Sequence, residues 1–271
     1  MQNNLFSVKD KVIILTGGSG ILGSCMAKHL ASEEATVVIL DCNETAGKTL
    51  EEEIINDGGK ALFLLTDVLD KQTLEKNTKA IMNAFGRIDV LINLAGGNMA
   101  GATIPPDKTF FDLNIEAFRK VVDLNLFGTV IPTMVFAKVM VEQKKGSIIN
   151  ISSESALRPL TRVVGYGTAK AAINNFTQSM AGELAIKFGE GLRVNAIAPG
   201  FFLTDQNRAL MSNPDGTPTD RCKTVIAHTP FRRLGQPEEL LGVIQWLASD
   251  ASAFVTGTVI PIDGGFDAFS I

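Results

Sequence analysis

Seven short apolar runs punctuate the chain, at residues 12–15, 36–40, 61–65, 90–94, 147–151, 193–198 and 258–262. They are rich in β-branched and aliphatic residues and lack polar alternation, which is the pattern of strands covered on both faces. Between them, segments at about 20–32, 43–57, 71–85, 114–142, 166–188 and 237–248 space their apolar residues at helical intervals. The alternation predicts a doubly wound α/β fold, with about seven parallel strands, right-handed crossovers and helices on both faces. No linker, low-complexity tract or internal repeat divides the chain, so residues 1–271 are expected to form one domain. Residues 201–236 break the rhythm with a turn-rich stretch that includes Asn213-Pro214-Asp215-Gly216-Thr217-Pro218. Long irregular segments in compact domains are commonly lids or binding loops, and this one is expected to cover a substrate.

Composition narrows the class. With 271 residues, 45% of them hydrophobic, folding buries roughly three quarters of the unfolded surface, so neither a disulfide nor a metal is needed as a staple. The net charge is −4 and no Lys/Arg stripe occurs, which argues against nucleic acid or an anionic membrane as partner. Cys25, Cys42 and Cys222 have no metal-ligand or redox spacing, and His29 and His228 complete no zinc pattern with them. No bound metal is expected, and isolated thiols suit a reducing compartment, the cytoplasm. Residues 1–11 lack the apolar core and cleavage site of a signal peptide. No apolar run is expected to approach the roughly eighteen residues that span a bilayer.

The first strand runs into Thr16-Gly17-Gly18-Ser19-Gly20-Ile21-Leu22-Gly23 and then a helix. Gly18, Gly20 and Gly23 satisfy G-x-G-x-x-G, where glycines allow a tight turn, close approach of the backbone to a pyrophosphate, and close helix–strand packing. The diphosphate of a dinucleotide would meet the free N–H groups of the helix N-terminus. Asp41 ends the second strand 18 residues after Gly23, placed to accept both adenosine ribose hydroxyls. The same carboxylate would repel a 2′-phosphate, and no arginine stands in the loop or directly after Asp41, which favours NAD over NADP. Taken alone, Asp41 could equally be a strand-end acid or a helix cap.

Tyr166 is the only tyrosine, and Lys170 lies four residues on, on the same face of a predicted helix. An ammonium near a phenol stabilises the phenolate and brings a pKa near 10 toward neutrality, as a general acid/base requires. A Tyr/Lys pair at this spacing is by itself also common as surface decoration.

Together with Thr16–Gly23, the segment Asn93-Leu94-Ala95-Gly96, Asn125, Ser153, the Tyr166/Lys170 pair and Pro199-Gly200 resemble the short-chain dehydrogenase/reductase family, in order over nearly the whole chain. Ser153 lies 13 residues before Tyr166 and Asn125 lies 28 before Ser153, as in that family. The resemblance implies a Rossmann-type fold and hydride transfer between an alcohol and a ketone. It implies that Tyr166 exchanges the proton of the substrate oxygen and that Ser153 holds that oxygen. Lys170 tunes Tyr166 and binds the nicotinamide ribose, and Asn125 anchors a water in the proton relay. Asp67 and Val68 contact adenine, and Asn93, Ala95 and Gly96 flank the cofactor. Pro199, Gly200 and Thr204 hold the nicotinamide. One departure concerns the glycine turn: the family's glycine at 21 is replaced by Ile21 and Leu22, with Gly20 beside Ser19, so the turn is expected to differ locally.

The ending from Asp263-Gly264-Gly265, with the shifted turn, is similar to family members that interconvert D-fructuronate and D-mannonate, and gluconate 5-dehydrogenases share the overall pattern. A sugar acid needs a cation, and Arg158, five residues past Ser153, or Arg208 is expected to read its carboxylate. Arg158 or Arg162 in a surface or subunit ion pair is an equal alternative. Ser155, Glu154, Asn98 and Met99 are further pocket candidates. Apolar residues on the Tyr166 helix (Ala169, Ala172, Ile173, Phe176, Met180, Leu184), read with the resemblance, imply a homotetramer, ordinary core packing being the alternative.

Overall fold

The computed structural model describes residues 4–204 and 207–269. Its strands are β1 (Val12–Thr16), β2 (Thr36–Asp41), β3 (Lys60–Leu65), β4 (Val90–Asn93), β5 (Gly146–Ile151), β6 (Leu192–Pro199) and β7 (Val259–Ile262). They form one parallel sheet in the order β3-β2-β1-β4-β5-β6-β7. The helices are α1 (Ile21–Ser32), α2 (Glu44–Asn56), α3 (Lys71–Phe85), α4 (Ile115–Val122), α5 (Gly128–Gln143), α6 (Val164–Phe188), α7 (Arg208–Met211), α8 (Asp220–His228) and α9 (Leu241–Ala248).

The two-sided apolar strands are explained by two cores, one on each face. Ile13 and Leu15 of β1 join Val37, Ile39, Ile92 and Ile197 against α1, α2 and α9. Their neighbours Val12 and Ile14 join Val38, Leu40, Leu91 and Val194 against α3, α5 and α6. Alternation of side chains along a strand sends odd positions of β1 to one layer and even positions to the other. Strand order reverses between β1 and β4, and a crevice opens there beyond the C-terminal strand ends, where ligands bind in this architecture.

Three expectations are corrected. The helix read over 114–142 is broken: a π-helical turn, Asp123–Phe127, separates α4 from α5. Pro132 lies one turn further on and offers no N–H to the Gly128 carbonyl, so the hydrogen-bond ladder is already weakened there. The same Ile115–Gln143 stretch contains an 18-residue window of mean hydropathy 1.6, long and apolar enough to cross a membrane by composition, against the expectation of no such run. Half of that window is buried, because Val135, Phe136 and Met140 of α5 pack in the core beneath the sheet. The segment 201–236 is less irregular than its turn residues suggested. It carries α7 and α8, fastened by a small core of Met211, Cys222 and Val225 under Phe201, Leu203 and Leu234.

Candidate active site

A cleft of about 580 Å³ lies at the switch point, lined by Gly17, Ser19, Gly20, Ile21, Leu22, Gly23, Asp41, Asp67, Val68, Ala95, Gly96, Tyr166, Lys170 and Thr204 among others. Gly17 has φ 63°, and a Cβ there would stand 2.8 Å from the Cα of Ala95. A Cβ on Gly23 would stand 2.7 Å from the carbonyl oxygen of Gly17. The turn therefore keeps its backbone close and bare. Gly20 caps α1 without a side-chain bond, and no acidic residue stands in the first turn, which leaves the helix N-terminus suited to phosphate despite the shifted glycine. Asp41 accepts from Ser19 N at 3.0 Å and Asn43 N at 2.9 Å, which fixes its carboxylate at the rim. These residues fit a dinucleotide. Asn93 does not line the cleft: it is buried below, donating to Thr133 Oγ1 and Asn150 Oδ1. Thr16 Oγ1 accepts from Leu94 N and Ala95 N and sets the exit of β4.

The π-helical turn carries Asn125. Its Nδ2 donates to the Gly97 carbonyl at 2.7 Å and its Oδ1 accepts from Gly97 N at 3.0 Å, so a side chain completes the loop after β4. Lys170 on α6 is buried, with its Nζ donating to the Ile151 carbonyl at 2.7 Å. A Cβ on Gly96 would meet Asn125 Oδ1 at 2.6 Å and Lys170 Nζ at 3.3 Å. The Lys170 Nζ lies 5.5 Å from the Tyr166 ring centroid. Burial pulls the Lys170 ammonium down to about 7. The Tyr166 phenol is pushed up by burial, and a hydrogen bond with Ser153 opposes the rise. The expectation of a lowered phenol is corrected here: desolvation of the ring oxygen outweighs its polar neighbours in this geometry. Ser153 caps a short helical turn, Glu154–Ala156, and its Oγ accepts from Ser155 N at 3.2 Å and Ser155 Oγ at 3.0 Å. Its own hydroxyl proton is left for Tyr166 or a substrate oxygen. Ser155 is buried and acts on Ser153 instead of lining the pocket.

A family model described as enoyl-(acyl carrier protein) reductase matches residues 18–267. An uncharacterized oxidoreductase of Bacillus subtilis (strain 168) is 45% identical over 97% of each chain. The chain belongs to the short-chain dehydrogenase/reductase family. A solved structure from Haemophilus influenza with bound NAD, provisionally described as a D-mannonate oxidoreductase, has TM-score 0.91 and 43% identity over 97% of each chain. A gluconate 5-dehydrogenase from Burkholderia cenocepacia J2315, solved with NADP and tartrate, has TM-score 0.87 and 28% identity over 98% of each chain. As a member of the short-chain dehydrogenase/reductase family the chain is an oxidoreductase of CH–OH substrates, and the solved relatives bind NAD or NADP.

In this short-chain dehydrogenase a second cavity of about 210 Å³ adjoins the cleft, and Leu22, Ile151, Tyr166 and Thr204 line both. Pro199 and Gly200 at the end of β6 line the second cavity with Asn98, Ser153, Glu154, Asn207 and Arg221. Arg158 does not: its Nε donates to Asp267 Oδ1 at 2.9 Å, so the guanidinium is engaged by the C-terminal segment. Arg208 on α7 and Met99 are likewise outside the lining. The sequence reading missed Arg221, which is remote from every motif; no local signal marks it.

Glu154 is 1% exposed, and its carboxyl, buried beside that of Asp263, accepts no hydrogen bond from a donor among the described residues. Burial, then the nearby charges of Asp263 and Asp267, push its carboxyl up to about 7, against Arg158. In the unfolded chain the group ionises near 4.5, so its contribution to stability declines as pH rises from there through about 7. Glu154→Gln is therefore expected to exceed the parent in stability at about pH 8.5 by on the order of 2–3 kcal/mol, with the gap shrinking toward about pH 5. Urea unfolding at the two pH values measures this, and a gap that does not change with pH contradicts it.

Proposed function

We propose that this short-chain dehydrogenase is an NAD-dependent enzyme that interconverts the secondary alcohol and ketone of a sugar acid, D-mannonate and D-fructuronate being the favoured pair. The observation that carries the reading is the Ser153–Tyr166 hydrogen bond where cleft and cavity meet, with the buried Lys170 ammonium beside the ring. A nicotinamide dinucleotide bound in the cleft supplies or takes up the hydride. Tyr166 delivers the proton to the substrate oxygen in reduction and removes it in oxidation. Ser153, fixed by Ser155, donates to that oxygen and holds it against Tyr166. Lys170 holds the ribose hydroxyls and favours the phenolate that burial disfavours. Asn125 clamps Gly97 beside Lys170 and orders the relay of protons to solvent.

In the cofactor cleft, Gly17, Ser19, Gly20, Ile21, Leu22 and Gly23 cradle the diphosphate, and Asp67 and Val68 border the adenine. Ala95 and Gly96 line the cleft where the sugar would be held, and Asn93, buried on Thr133 and Asn150, would act as a structural clamp at the end of β4. Pro199, Gly200 and Thr204 flank the nicotinamide. The anchored Asp41 carboxylate favours the 2′-hydroxyl of NAD over a 2′-phosphate. The substrate cavity mixes carboxyl, amide, hydroxyl and guanidinium groups, which suits a polyhydroxylated acid, and the names of the similar solved proteins agree with that class. Its 210 Å³ lies below the roughly 300–1,000 Å³ of sites for drug-sized ligands, which suits a small substrate. A gluconate 5-dehydrogenase is the second reading, on the strength of the relative solved with NADP and tartrate.

Phe201, Phe202, Asn207, Leu210 and Met211 bring the 201–236 segment over the cavity as a substrate cover. Exposed Ile186 and Phe188 of α6 and Met134 of α5 support a homotetramer. The three unpaired thiols suit a cytoplasmic setting.

With NAD and a panel of hexonates, hexitols, simple secondary alcohols and hydroxyacyl thioesters, the highest kcat/KM is expected for D-mannonate. A thioester or simple alcohol at the head of the panel overturns the reading. Tyr166→Phe is expected to lower kcat by about 10²–10⁴-fold while NADH fluorescence titration still shows binding. Asp41→Ala is expected to shift the NAD/NADP ratio of kcat/KM toward NADP by roughly tenfold or more, and an unchanged ratio removes Asp41 from cofactor selection.

A further inference from the structure

The inference here rests on the proposed reaction and concerns how its substrate is chosen. Arg221 stands in the first turn of α8 and lines the cavity that contains Ser153 and Tyr166. Among the described residues its guanidinium has neutral partners, Thr161 Oγ1 at 3.2 Å and the Thr161 carbonyl at 3.3 Å. Both bonds are long for this chemistry, and they use two of five donors. Burial lowers the Arg221 guanidinium from its usual range, and the charge of Arg162 lowers it further, so the second cation stands close by. Arg162 has φ 74°, in the left-handed region that residues with a side chain rarely adopt.

The half-buried Arg221 guanidinium lines the cavity and stands in no ion pair among the described residues, so the cavity presents one positive charge to a ligand. The other cations named for this role do not compete. Arg158 is engaged by Asp267, and Arg208 does not line the cavity. The arginine is also anchored where it stands, since Cys222 and Val225 on the same helix are packed into the small core beneath Phe201 and Leu203.

We infer that Arg221, backed by Arg162, is the specificity-determining residue that takes the substrate carboxylate, so that the oxidised carbon of a hydroxy acid is delivered to Ser153 and Tyr166. A guanidinium offers a carboxylate two parallel donors, which fixes orientation as well as charge. The substrate class this selects is the hydroxy acid, over the neutral polyol of the same length.

Steady-state kinetics of Arg221→Met and Arg221→Lys with D-mannonate and with D-mannitol, alongside isothermal titration of tartrate into the enzyme–NADH complex, test the assignment. Arg221→Met is expected to raise KM for D-mannonate by roughly 10- to 100-fold with a smaller change in kcat. The loss on D-mannitol should be at least about tenfold smaller, tartrate affinity should fall in parallel with the D-mannonate effect, and lysine should restore part of each. Equal losses on the acid and the polyol, or an unchanged tartrate affinity, overturn the inference. A wild-type enzyme that oxidises polyols but no hexonate defeats the sugar-acid reading separately. The tartrate titration then still decides whether Arg221 holds an anion.

Discussion

The Lys170 ammonium is buried with the Ile151 carbonyl as its hydrogen-bond partner, and the site is organised around keeping it there. An unpaired buried cation loses several kcal/mol of hydration, which is why burial draws its pKa down to about 7. Three separate pieces of chain converge to make that burial tolerable. β5 ends at Ile151, so its carbonyl is available to the lysine rather than committed to the ladder. Gly96 leaves no side chain between the ammonium and Asn125. The π-helical turn rotates Asn125 so that its amide grips both backbone groups of Gly97, and the loop cannot drift. Of the three ammonium donors, one is used by the protein, and the proposed ribose contact draws on the other two.

The same desolvation acts on three titratable groups around the reaction. It raises the Tyr166 phenol, raises the Glu154 carboxyl and lowers the Lys170 ammonium. Each shift moves its group toward the uncharged form, so near neutral pH the site holds less charge than its residues suggest. An uncharged Glu154 beside Ser153 suits chemistry in which negative charge develops on the substrate oxygen, since an ionised neighbour would oppose it. Arginine alone resists this trend, because its intrinsic pKa lies so high that a moderate depression leaves it charged. A cavity whose buried carboxyl is shifted toward the uncharged form while a guanidinium stays charged is suited to an anion.

How far this was legible in the sequence depended on the scale of the signal. The seven strands were readable within about a residue at each end, because a sheet covered on both faces forces continuous apolar runs. The glycine turn, Asp41, Ser153, Tyr166 and Lys170 were readable because each motif sits at a strand end or at fixed helical spacing. The break at Asn125 was not readable: α4 is amphipathic but α5 is apolar on all sides, so α5 offers no stripe against which a one-residue phase shift would show. The sign of the Tyr166 shift was also hidden, because spacing reports which charge is adjacent but not how completely water is excluded. Arg158 misled for a related reason. Five residues past Ser153 is close in sequence, yet Asp267, 109 positions away, is what its guanidinium meets.

Arg221 shows why specificity is harder to read than chemistry in this architecture. The hydride and proton steps use groups on β5, α6 and the switch-point turn, elements whose positions are dictated by the sheet. The second cavity is lined in part by residues of the 201–236 segment, much of which is held by its own small core and not by the sheet. Replacements among Leu210, Met211 and Arg221 alter what the cavity admits without disturbing the two cores that position Ser153, Tyr166 and Lys170. One sheet can therefore support many substrates with a constant reaction, so the family assignment settles the reaction class while the substrate must be argued from what lines the cavity.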